Sequence, residues 1–337
     1  MELQILVPQY NETSAIVRNL LNSLKVQQGV DFANDFGVII VNDGSEVYLP
    51  KSFLAEYDFP IEYHKDPHRG IAGTRNALLK YATADYVMFC DADDMFGSMV
   101  ALYSIIRSIR EGGFDELISF FYAETVLPGG YLIYSENNRV IHPFIHGKVF
   151  NRKYLMDNEI FFTEEVNYHE DVYFSFLAHS CAPVIKLLQQ FAYIWKHNPM
   201  SITKSDNFSI KHYTDSLKAI KLVCTELMKR DHLEDARFYY TCCLYNSYFF
   251  MHQPGWLGQK GSIYWNNVCI GLQQMWDEYG DKLFHDFDEE KRKTIWDDTV
   301  ETSIGSTELT KEELEPFEDW IISIVSQDYS DSVDETE

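Results

Sequence analysis

Along the first hundred residues, apolar and polar positions switch between a period of two and a helical period. LQILVPQY and GVIIVNDGS are short runs rich in β-branched residues that stop at Pro, Asn, Asp or Gly, and IEYHKD is a shorter run of the same kind. Each predicts a strand. Between the first two, ETSAIVRNLLNSLKVQ places Ile16, Leu20 and Leu24 at helical spacing, with Val17 and Leu21 beside them, behind a Thr13 or Ser14 cap. GTRNALLKYATA predicts a further helix leading into the strand DYVMFC. Strands that alternate with helices predict an α/β fold, a mostly parallel sheet with flanking helices. In such sheets ligands bind beyond the carboxyl ends of the strands.

The polar residues gather where that rule expects them, in VPQYNE, VNDGS and CDADD. In an extended segment residues i and i+2 point the same way, so Asp91 and Asp93 project together across Ala92, and Asp94 adds a third carboxylate. Such a group repels itself unless a cation joins it. A hard divalent ion, Mn²⁺ or Mg²⁺, suits oxygen ligands and keeps positions open for phosphate. Taken singly, VNDGS is also an ordinary turn and CDADD an acidic loop. Their shared place behind apolar strands raises both.

In the second half, VYFSFL predicts a helix that starts at Glu170–Asp171, where a carboxylate is stabilised by the free backbone N–H groups. From 206 onward, FSIKHYTDSLKAIKLVCTELMKR repeats apolar residues at helical spacing behind an Asp206 or Asn207 cap, and RFYYTCCLYNSYFFMH predicts an aromatic-rich partner helix. With 46% hydrophobic and 15% aromatic residues the chain has ample material for a core. The six cysteines lie in apolar segments without metal-ligand spacing and read as reduced core thiols. Of the formal charge of −24, −16 falls between Asp277 and Glu337, which holds 21 acidic and 5 basic residues. That imbalance disfavours nonspecific binding to nucleic acid or anionic membranes. With no apolar stretch long enough to span a bilayer and no basic leader ahead of an apolar run, the expected location is the cytoplasm.

VPQYNE, VIIVNDGS, GIAGTRNALLKYATADYVMFCDADD and HEDVYF, in this order, resemble the family 2 glycosyltransferases of the GT-A fold over roughly residues 3–203. The resemblance implies a Rossmann-like sheet, a nucleotide-sugar donor (usually a UDP-sugar), a divalent metal, and transfer to an acceptor hydroxyl with inversion. It implies that Asp43 contacts the uracil or ribose and that Pro8, Tyr10 and Glu12 wall the nucleotide pocket. Asn42 departs from the acidic residue common in the family. Arg75 would orient the donor, Asp91 would bind ribose or reach the metal, and Asp93 would ligate it. Asp171 would be the general base, with Glu170 a supporting or metal-side residue; in YIWKHNPMSIT, Lys196 and Ser201 would face the diphosphate and His197 would complete the metal shell or touch the diphosphate. His146, Lys148 and His169 are further candidates near the active face.

The expected organisation is a nucleotide-sugar half at 1–98, an acceptor and base half at 99–205, a helical C-terminal domain at 206–325 for acceptor selection or homo-oligomerisation, and an acidic disordered tail at 326–337. The acceptor class expected is a glycan, lipid-linked or protein hydroxyl. Two alternatives accompany it: a phage-type transferase that modifies a hydroxylated nucleic-acid base, and a non-catalytic sugar-nucleotide-binding module.

Overall fold

The structure, a computed structural model of the 337-residue chain, describes residues 1–198, 208–304, 307, 309, 310, 314 and 316–329. It divides into two compact units, Met1–Ser201 and Ile202–Glu337. The first unit runs β1 (Leu3–Gln9), α1 (Ser14–Lys25), β2 (Phe36–Asp43), α2 (Lys51–Leu54), β3 (Ile61–Asp66), α3 (Gly70–Tyr81), β4 (Tyr86–Phe89), β5 (Met95–Phe96), α4 (Ala101–Glu111), β6 (Glu116–Val126), β7 (Leu132–Asn137), β8 (Lys148–Asn151), α5 (Arg152–Asp157), α6 (Glu170–Cys181) and β9 (Ile185–Trp195).

The strands form one sheet in the order β3-β2-β1-β4-β8-β6-β9-β5, with β7 paired to β6. β3, β2, β1 and β4 are parallel, in register Leu3 with Phe36 and Leu3 with Tyr86. β1 and β2 are buried along their whole length, which explains their unbroken apolar runs. Beyond β4 the sheet becomes mixed: β8 runs antiparallel to both β4 and β6, whereas β6 and β9 are parallel. Because β8 is antiparallel, its first residue, Lys148, lies toward the end of β4 that leads into Asp91. Helix α1 buries Val17, Leu20, Leu21 and Leu24 against this sheet, in one core with Ile5, Val38 and Met88.

The second unit is helical: α7 (Phe208–Lys211), α8 (Tyr213–Lys229), α9 (Leu233–Met251), α10 (Pro254–Leu257), α11 (Ile263–Tyr279), a π-helical segment (Gly280–His285), α12 (Glu289–Ser303) and α13 (Phe317–Val325). The single helix expected after residue 206 is broken at His212, and its proposed caps Asp206 and Asn207 lie outside the described residues. The aromatic stripe of α9 is core: Tyr240 and Tyr248 are fully buried, and the Tyr240 hydroxyl donates to the Met275 carbonyl at 2.9 Å. At the start of the acidic tail residues 326–328 are exposed. The Gln273 amide donates to the carbonyls of Val325 and Gln327, at 3.2 and 2.7 Å, and so satisfies groups left open at the end of α13. Residues 330–337 lie outside the described residues.

Candidate active site

The turn after β2 is built from side chains that bond inward. Asn42 is fully buried; its Nδ2 donates to the Val47 carbonyl at 2.8 Å and to the Tyr63 hydroxyl at 3.1 Å, while its Oδ1 accepts from Ser45 N at 2.8 Å. A carboxylate could not make the two donated bonds, which accounts for an amide at this position. Asp43 accepts from Arg69 N at 2.7 Å and Gly70 N at 3.0 Å, satisfying free N–H groups where α3 begins. Gly44 has φ +72°, and a Cβ there would stand 2.5 Å from His68 N, so only glycine fits. Asp43 is therefore directed at the start of α3 and buried. Beside this turn, Pro8 is buried within β1, Tyr10 is half exposed with its ring 4.9 Å from that of His68, and the Glu12 carboxylate accepts from Tyr10 N at 2.6 Å. Burial pushes the Glu12 carboxyl up to about 7, with the charges of Asp93 and Asp91 adding to the effect.

The turn after β4 has the opposite character. Asp94 is buried; it accepts from the Tyr193 hydroxyl and, at 2.8 Å, from Lys196 N. The same Tyr193 hydroxyl accepts from Asp91 N at 3.2 Å, so one tyrosine of β9 braces the whole acidic turn. Asp93 is half-buried and accepts from the Asn198 amide at 2.8 Å. Burial and the neighbouring Asp91 raise the Asp93 carboxyl, and Asp94 is raised further by burial with both neighbours contributing.

Arg75 occupies the centre. It is buried, donates to Asp91 Oδ1 at 2.7 Å through Nη2 and to Glu170 Oε1 through Nη1, and lies 5.4 Å from the Phe162 ring centroid. With both ends of its fork on carboxylates, Arg75 is a strut between the acidic turn and α6. Glu170 and Asp171 open α6 behind His169, which holds a left-handed φ of 65°. Asp171 Oδ1 accepts from Val172 N at 2.9 Å. Burial lifts Glu170 to about 7 and Asp171 to about 6, while Arg75 draws both down.

The oxygen and nitrogen atoms of Asp91, Asp94 and His146 lie within 4.8 Å of one another. The grouping expected from the sequence, Asp91 and Asp93 with His197, is not assembled: His197 donates its backbone N–H to Glu124 at 3.3 Å, and its buried Nδ1 has no partner among the described residues. His146 was one candidate among several in sequence because nothing local marks it. Its ring is fixed by stacking on Tyr193, at 5.0 Å and 20°, a contact made only by the fold. The Lys196 charge acts on Asp93. Ser201 lies outside the described residues.

Glu12, Asp93, Asp94, Glu170 and Asp171 are thus all pushed up by burial, with Asp91 contributing to each shift. Such a surplus of hard oxygen donors fits a divalent cation. The more accessible carboxylates, Asp91 and Asp93, suit it better than Asp94, whose two oxygens already serve Tyr193 and Lys196.

Comparison with known proteins agrees with this geometry. The profile of "Glycosyl transferase family 2" matches residues 4–164. Poly(ribitol-phosphate) beta-N-acetylglucosaminyltransferase TarS of Staphylococcus aureus is 26% identical over 254 residues, covering 70% of this chain and 42% of TarS. The chain therefore spans less than half the length of that relative. The crystal structure of TarS 1–349 in complex with UDP superposes with a TM-score of 0.61 at 19% identity over 91% of each chain. Mannosyltransferase PcManGT from Pyrobaculum calidifontis, in complex with GDP-Man and Mn²⁺, gives 0.50 at 11% identity over 98% of this chain and 85% of the other. The acidic turn joined by a buried arginine to a Glu–Asp helix start stands on a GT-A sheet, and residues 4–164 match glycosyltransferase family 2.

Proposed function

We propose that the chain moves a sugar from a UDP-sugar to a hydroxyl of a polyol- or sugar-containing polymer with inversion at the anomeric carbon, Asp171 serving as general base. The observation that carries this reading is the Asp171 carboxyl at the head of α6, raised to about 6 and coupled through Arg75 to the acidic turn. A base with that affinity is mostly ionised near neutral pH and still accepts a proton. The likeness to TarS supports UDP-N-acetylglucosamine as the first donor to test and a phosphodiester-linked polyol polymer as the first acceptor.

In the transfer, the acceptor oxygen bonds to the anomeric carbon from the face opposite the diphosphate as its proton passes to an Asp171 oxygen. The bond from the anomeric carbon to the diphosphate breaks, and its electron pair leaves with the nucleoside diphosphate. Asp91 and Asp93 would hold a divalent cation, which supplies Lewis-acid relief of the charge on the departing diphosphate. Pro8, Tyr10 and Glu12 form the wall beside the nucleotide. Lys196 sets a positive charge next to Asp93, where the diphosphate must approach. Arg75 holds the acidic turn and the base helix in one frame, and Glu170 is its anchor on α6. The helical unit takes the role of acceptor selection or self-association.

The test is UDP release and product mass from UDP-N-acetylglucosamine with Mn²⁺ and poly(ribitol phosphate). Formation of a β-linked product from an α-linked donor is the expected result. Retention of the anomeric configuration, or turnover with no dependence on the acceptor hydroxyl, would overturn the reading.

A further inference from the structure

The acidic turn is held by a strand that supplies none of the reacting groups. Asp94 N donates to the Asp91 carbonyl at 3.1 Å, which closes residues 91–94 into a β-turn with Ala92 and Asp93 at its centre. Tyr193 of β9 bonds both ends of this turn. Its hydroxyl accepts from Asp91 N at 3.2 Å and gives its one proton to Asp94 Oδ2, while the other Asp94 oxygen accepts from Lys196 N at 2.8 Å, three residues further along the same segment. The ring is fixed independently of the hydroxyl. It is fully buried in one core with Cys90, Ala92 and Phe96, stacks on His146 at 5.0 Å, and stands opposite Phe96 where β9 pairs with β5. Gly97 lets the chain come this close: its N–H donates to the Ala192 carbonyl at 2.9 Å, and a Cβ there would stand 3.1 Å from the Phe191 carbonyl oxygen.

A phenylalanine would serve the packing of this ring as well. Burying a hydroxyl costs free energy unless it is hydrogen-bonded, and both bonds described above go to the acidic turn. We infer that Tyr193 is a positioning residue for the divalent cation, its hydroxyl fixing the turn so that the Asp91 and Asp93 carboxylates stand ready to bind metal together. This rests on the reading of those two carboxylates as the cation site. Asp93 is the third residue of the turn, between the two points that Tyr193 holds, and Arg75 fixes the Asp91 side chain separately, through Oδ1 at 2.7 Å. Asp94 is scaffold here, since both of its oxygens are occupied. Without the hydroxyl, Asp91 N–H and Asp94 Oδ2 lose a partner, and the turn regains freedom that metal binding would have to remove. Groups that hold a metal's ligands in place typically change its affinity by about ten- to a hundredfold.

The experiment measures UDP binding by calorimetry across a series of Mn²⁺ concentrations, in the full-length protein and in Tyr193→Phe. The Mn²⁺ concentration that gives the half-maximal effect should rise about ten- to a hundredfold in Y193F, with metal-free UDP affinity unchanged. Transfer should show the same split, most of kcat being regained at high Mn²⁺. A merely structural hydroxyl would lower the melting temperature and leave the Mn²⁺ requirement in place, and that result overturns the inference. So does a loss of UDP affinity that is equal with and without metal. Should Y193F not fold, Y193F/D94N leaves no buried carboxylate without its donor; compared with D94N, whose amide can donate to the tyrosine oxygen, it isolates the hydroxyl and is read by the same Mn²⁺ series. A wild type that binds UDP equally with and without Mn²⁺ would sink the cation reading and the inference with it, whereas a wild type that needs Mn²⁺ beside a Y193F that needs no more would sink the inference alone.

Discussion

The turns after β2 and β4 lie at the carboxyl ends of parallel strands on either side of β1, yet their hydrogen bonding differs in kind. After β2 every strong acceptor has met a donor: Asn42 bonds Val47, Tyr63 and Ser45, and Asp43 bonds two backbone N–H groups at the head of α3. After β4 acceptors outnumber donors, and three carboxylates share Arg75, Tyr193, Asn198 and a backbone N–H. The first turn is a finished piece of scaffold. The second is left with a surplus of acceptors, unfinished in the sense that a divalent cation would complete it. Polarity at a strand end thus says little about function until the donors and acceptors have been matched.

The largest effect should come where the unfinished side meets the chemistry. Asp171→Asn keeps the volume and the capping ability of the side chain but cannot take a proton. Transfer at saturating donor should fall by roughly two to four orders of magnitude, with donor affinity by calorimetry close to wild type. Survival of turnover would make Asp171 part of the scaffold after all.

Next in size is the strut. Arg75→Met leaves the buried Glu170 and the half-buried Asp91 without their cation, and breaking a buried contact of this kind costs about 3–5 kcal/mol. Thermal unfolding should show a loss of that order, and lowering the pH should recover part of it as the two carboxyls take up protons. A melting temperature unchanged from wild type would mean that the acidic turn and α6 do not depend on one another.

The smallest effect tests the finished turn. Asn42→Asp removes two donated bonds from a fully buried group and should cost about 1–3 kcal/mol, seen as a lower melting temperature. The folded fraction should keep wild-type turnover per molecule. A selective loss of donor binding at unchanged stability would move this turn to the ligand side of the comparison.

The elements around the site were legible in the sequence because each signal is local. Apolar runs ending in Asn-Asp-Gly or Asp-Ala-Asp mark β2 and β4, and the spacing of Val17, Leu20, Leu21 and Leu24 marks α1. The identities of the acidic residues were legible too. Their partners were not. Arg75 meets Glu170 across 95 residues of chain, and Tyr193 reaches Asp94 across 99. No periodicity encodes such pairings, which arise when a mixed sheet folds β9 back beside β5. For the same reason the bonds of Asp43 to Arg69 and Gly70, 26 and 27 residues away, are not legible in the sequence. Lys148 reads in sequence as one further candidate near the active face, but its burial beside Glu116 depends on the register of β6 against β8.

The forked contact of Arg75 also bears on how variants of this protein should be interpreted. A residue bonded to both motifs makes them one unit in a genetic sense. Substitutions at Asp91, Arg75 and Glu170 should show strong epistasis, the second change in the trio costing far less than the first. A scan that scores each motif alone would count the same loss several times, and a lineage that has changed one of the three should change the others at little further cost.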